Sequence, residues 1–116
     1  MDTYQAITLS GSAGGAPILV NAITAGTANT LHTAHATNIH EVWLAAYNYG
    51  SVDADIVLCI GGIAAGQQIT LTIPAKRGTI PILSGIRFTS SVVISAFASV
   101  TTSIAVVGNV NNIVTV

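Results

Sequence analysis

Three histidines, His32, His35 and His40, fall within nine residues and are the only histidines in the 116-residue chain. Imidazole is the commonest metal ligand, and three imidazoles are enough to hold zinc. Their spacing matches no standard ligand signature, however, and on a strand His32 and His35 would point to opposite faces. The expectation is polar loop residues, with no metal site assigned. Asp53 and Asp55 are two apart and would share a strand face. Paired carboxylates can cleave glycosides, but only in a cleft that separates their pKa values. Here they flank a turn, where Asp is favoured for its own backbone bonding.

Cys59 is the sole cysteine, so no disulfide can form within the chain. It sits in an apolar run, which suits an inert packed thiol better than a nucleophile. No G-x-S-x-G elbow is present. Gly11-Ser12-Ala13-Gly14-Gly15 lacks the following Lys and the helix that a phosphate-cradling loop requires. No catalytic set can be assembled, so the expected function is non-enzymatic, with no cofactor. Two features point to binding instead. Lys76-Arg77 is the only basic pair and fits a contact with an acidic patch on a partner protein. Trp43, Tyr47 and Tyr49 alternate along one segment and could stack on the apolar faces of sugar rings, although such stripes are commonly core.

These residues must be positioned by strands. The chain has 15 Ile and 12 Val against 7 Leu, with 14 Thr. β-Branched side chains fit a pleated surface. No window carries a sustained helical period with caps. Alternation and turn residues predict strands over 4–10, 16–24, 41–49, 54–60, 68–73, 79–83, 91–99 and 102–108, with 110–116 continuing the last or adding another. Residues 30–36 read as a short strand or an extended loop. Pro81 places 79–83 at a sheet edge, and Ser84-Gly85 reads as a turn. Segment 41–49 is apolar on both faces, which predicts a central strand covered on both sides. Together these give one all-β domain over 1–116, an antiparallel, jelly-roll-like β-sandwich of about eight strands. Residues 1–3 form a loose N-terminal arm.

Composition excludes several classes. Charged residues are 6% of the chain and the net charge is −1, too little cationic surface to neutralise a nucleic-acid backbone. No apolar run approaches the 20 or so residues of a spanning helix, and six aromatics cannot form the girdles of a membrane barrel. Residues 1–10, with an Asp, no Lys or Arg and no sustained apolar run after them, are not expected to act as a signal peptide. Ordinary domains hold about 25% charged residues. A chain with so few stays dispersed most simply when copies of itself, or a larger assembly, cover its flanks.

The segments His32-Thr33-Ala34, HEVWLAAYNYGSVDADIVLCIGG (40–62), Ile73-Pro74-Ala75, VVISAFAS (92–99) and GNVNNI (108–113) resemble small virion proteins of tailed bacteriophages. That family includes head decoration, or cement, proteins and related accessory parts. The resemblance spans residues 16–113 and carries over no functional residue. It implies a homotrimer on the capsid surface that contacts the major capsid protein or another virion protein. Such a protein is made in the host cytoplasm and acts through added buried area. The competing expectation is a receptor- or carbohydrate-binding head domain of a tail fibre or other surface appendage, using Trp43, Tyr47 and Tyr49.

Overall fold

The computed structural model describes residues 3–114. Nine strands form: β1 (Thr3–Thr8), β2 (Ile18–Val20), β3 (Asn29–Thr33), β4 (Ile39–Asn48), β5 (Ala54–Ile60), β6 (Gln68–Ile73), β7 (Ile80–Phe88), β8 (Val93–Ala98) and β9 (Ile104–Val114). The only helical pieces among the described residues are two single 3-10 turns, Ala25–Thr27 and Ala65–Gln67. One sheet runs β1-β9-β4-β7, with β2 also on β9; the other runs β3-β8-β5-β6. All strand pairings within the sheets are antiparallel.

β1 and β2 occupy successive stretches of the same β9 edge. Thr3–Thr8 lie opposite residues 109–114, and Ile18–Val20 lie opposite residues 104–106. Counted as one interrupted strand, they complete four nested pairs: β1/β2 with β9, β3 with β8, β4 with β7, and β5 with β6. A long hairpin rolled so that alternate pairs fall in opposite sheets is the eight-strand jelly roll. The β-sandwich expected from the sequence is thus the fold.

The core lies between the sheets. Val42, Leu44 and Ala46 of β4, with Ile104, Val106 and Val110 of β9 in the same sheet, face Ile56 and Leu58 of β5 and Ile94 and Ala96 of β8 within one buried cluster. Strict alternation puts these residues inward and their neighbours outward. Replacing a fully buried Ile or Leu here by Ala costs about 2–5 kcal/mol.

Two expectations change. Segment 41–49 is central within its sheet, but its outer face is open: Trp43 is 42% exposed. The apolar pattern means that both faces are greasy, not that the chain itself covers both. Ser84-Gly85 does not turn the chain. Val42 pairs with Ile86 and Trp43 with Ser84, so Gly85 is the extra residue of a bulge, at φ +69°. A glycine takes that left-handed geometry without strain, and the bulge bends β7 while letting it continue. Of the two alternatives for 110–116, continuation of the preceding strand is the one observed: 104–114 is one strand through Gly108. A Cβ there would strike the carbonyl of Trp43, so glycine permits the close passage of β9 along β4. The anticipated edge position of β7, which contains Pro81, holds. Of the anticipated arm 1–3, Thr3 is paired in β1 opposite Val114, while residues 1–2 and the last two residues of 110–116 lie outside the described residues.

Candidate functional site

The outer face of the β1-β9-β4-β7 sheet carries the most organised surface. β4 is flanked in register by β9 and β7, so three rows of three residues share that face. Asn111, Glu41 and Arg87 make the first row; Asn109, Trp43 and Ser84 the second; Val107, Ala45 and Pro81 the third. Along β4 the rows run polar, then aromatic, then apolar.

Glu41 ties the first row together. Asn111 Nδ2 donates to Glu41 Oε1 (3.2 Å), and Arg87 Nε donates to Oε2 (3.3 Å). Trp43 Nε1–H also donates to Oε1 (3.3 Å), so the carboxylate fixes the indole as well. These partners, Asn111 foremost, hold the Glu41 carboxyl below its ordinary range. It is ionised at neutral pH and matched by the Arg87 cation, the only ion pair among the described residues. The indole lies over Gly85: a Cβ at that position would sit 2.8 Å from Trp43 Cζ2. The missing side chain therefore lets the ring settle on backbone. Beside it the second and third rows line an open depression of 310 Å³, with Trp43, Ala45, Pro81, Ser84, Val107 and Asn109 around it. Of the anticipated stacking residues, Trp43 and Tyr47 alternate along β4. Tyr49 lies one residue past its end and is half exposed. The aromatic stripe was visible in the sequence; Asn109, Asn111, Ser84 and Arg87 were not, because only the strand register brings them to it.

The histidines meet at a second place, away from solvent. His32 of β3 and His40 of β4 are buried, and His32 Nε2 lies 2.8 Å from His40 Nδ1. The Ser10 backbone N–H donates to His32 Nδ1 (2.9 Å). That nitrogen must hold a lone pair, so the proton of the neutral ring is on Nε2 and points at His40. The His40 proton then falls on its own Nε2. Asn112 lies opposite His40 in register, and its buried Oδ1 has no hydrogen-bond partner among the described residues. Burial, then the neighbouring His40, pushes His32 down to about 4. His40 is lowered by burial and by His35, with Asn112 acting in the opposite sense. His35 stays at the surface, its Nδ1 accepting the backbone N–H groups of Thr37 (3.0 Å) and Asn38 (2.9 Å). The facing nitrogens of His32 and His40 thus share a proton. Among the described residues no three His, Cys, Asp or Glu side chains converge as a metal site.

The carboxylates that were candidates for acid–base work are engaged structurally. Asp53 Oδ1 accepts the Ala75 backbone N–H (3.0 Å), and Asp55 Oδ1 accepts the Thr72 hydroxyl (2.8 Å). Cys59 is buried, and that burial raises its thiol pKa. Lys76 and Arg77 stand exposed on the loop between β6 and β7, with Lys76 N–H anchored to Asn48 O (3.0 Å). No protein-family model matches the chain, and no curated protein is significantly similar to it.

Proposed function

We propose that this protein is a non-enzymatic structural component of a phage particle. In this reading it is a homotrimeric head decoration protein that tightens the shell by burying area between copies and against the major capsid protein. The observation that carries the reading is the scarcity of charge on a surface rich in apolar groups. Tyr4, Leu19, Ile23, Val52, Ile63 and Val100 are all exposed, against seven charged residues in the whole chain. Scattered exposed hydrophobes are normal in proteins whose surface is otherwise charged. Here the remaining surface is mostly hydroxyl, amide and backbone, and near-zero net charge favours association.

The second sheet supplies a suitable contact face. Its outward rows place Val57 between Thr70 and Phe97, with Gln68 and Ser95 flanking the buried Cys59. Asp55, the one charge there, is bonded to Thr72. Such a neutral, partly apolar face resembles the interior of an obligate interface. Capsid domains also use the jelly roll, an analogy of fold and not of site. At an interface of about 800 Å² per partner, apolar burial offsets the cost of association.

Sedimentation equilibrium at micromolar concentration tests the proposal. A species of three chain masses is expected, together with saturable binding to expanded heads that lack the protein. Exchanging Lys76 and Arg77 for Glu should weaken the binding to heads without altering the trimer. A stable monomer that does not bind heads would overturn the reading.

A further inference from the structure

The three-row face around Trp43 is built differently from the neutral face of the other sheet, and we infer that it is a carbohydrate-binding site for a neutral pyranose ring. A pyranose presents an apolar C–H face and an equator of hydroxyls. The site presents the same division in reverse. The Trp43 indole and the Val107, Ala45 and Pro81 row offer the apolar floor. On either side of the indole, Asn109 and Ser84 stand exposed in register with it. Beyond it lies the Asn111, Glu41 and Arg87 row.

The polar row argues for an uncharged ligand. Glu41 and Arg87 neutralise each other, and Glu41 already accepts from Asn111, Trp43 and Arg87. What remains for a ligand is the amides of Asn109 and Asn111, the Ser84 hydroxyl and the outer guanidinium N–H groups. These neutral or donor groups suit hydroxyls and give a carboxylate or phosphate little net attraction. The 310 Å³ depression is at the small end of the ligand-site range of about 300–1,000 Å³ and suits one ring of an oligosaccharide lying on an open face. Preorganisation is the strongest part of the case. Aromatic platforms bind best when the ring does not have to be ordered first. Here the indole is held through Nε1 by Glu41 and lies on the glycine bulge. A residue that served only to cover a sheet would need neither device.

Trp43 is the only tryptophan in the chain, so its fluorescence reports on this site alone. The test titrates the purified protein with a panel of neutral oligosaccharides, including cellobiose, maltose, lactose and chitobiose, alongside a glycan array. At least one should produce a saturable change in emission with a millimolar or tighter Kd. Asn109→Ala should weaken that binding several-fold, and Trp43→Ala, read on the array or by calorimetry, by about tenfold or more, a loss near 1.4 kcal/mol. Trp43→Phe should retain part of the binding, read on the array or by calorimetry. The sedimentation behaviour should stay the same in all three. Absence of any saturable response in the wild type would overturn the proposal. So would emission that depends on protein concentration and not on sugar, which would mean that a second copy occupies the face.

Discussion

Acidification should loosen this fold well before its carboxylates titrate, and the His32–His40 pair sets how much. His32 has a folded-state pKa of about 4 against an ordinary 6.5. Between those values the unfolded chain binds more protons than the folded one, so stability rises with pH across the window. The full stability is present above pH 6.5, is lost as pH falls toward 4, and levels off below it. Each tenfold difference in proton affinity between the folded and unfolded chain is worth about 1.4 kcal/mol, so the complete loss is about 3 kcal/mol and the loss by pH 5 about 2 kcal/mol. In a domain of this size that lowers Tm by roughly 8 °C at pH 5. Burial of His40 adds to the fall in the same direction. Glu41 also has a depressed pKa, but its contribution disappears only below its ordinary value of 4.5. The range from pH 6.5 to 5 therefore isolates the histidines. Scanning calorimetry at half-unit pH steps measures the slope. His32→Asn keeps an acceptor for the Ser10 amide and removes the titrating ring, so most of the slope should vanish whatever the variant's absolute Tm. A wild-type Tm that is flat from pH 7 to 5, or an unchanged slope in His32→Asn, would refute the burial of His32 as a neutral imidazole that resists protonation.

Other expectations are more local. Gly85→Ala would combine a positive φ with a Cβ pressed into Trp43; a loss of about 2–3 kcal/mol in urea unfolding and a shift in tryptophan emission should follow. Lys76 adopts φ 56°, so Lys76→Gly should raise stability by about 0.5–1 kcal/mol in the same assay. Ile56→Ala at the centre of β5, fully buried, should cost about 2–5 kcal/mol by chemical denaturation. Cys59, buried and with a raised pKa, should react with a disulfide reagent only at the rate of unfolding, and rapidly in denaturant.

Much of the architecture was legible because its signals were local. The limits of β5 and β6 follow from alternation closed by Gly61 and Pro74, and both strands match the residues read from the sequence. Pro81 correctly marked an edge. What failed depended on partners distant in sequence. Ser84-Gly85 has the composition of a turn, and only the indole across the strand makes it a bulge. Whether 110–116 continued the preceding strand was left open by the sequence, and the Trp43 carbonyl beside Gly108 shows why a glycine there lets it continue. The histidine pair was hidden by spacing: His32 and His40 lie on strands of different sheets, and no periodicity predicts a contact across a sandwich. For the same reason the aromatic stripe could be read but its polar row could not.

The nesting of strand pairs also constrains how the chain can reach this state. The innermost pair, β5 with β6, is separated by a short connection, whereas β1 meets β9 with Thr3 opposite Val114. Loop-closure entropy therefore favours an assembly order from the middle of the polypeptide outward, with its two ends knitting last, and refolding on the millisecond-to-second scale typical of high contact order. Until that final step the flank of β9 is bare, and a newly made molecule is most prone there to pair with the wrong strand.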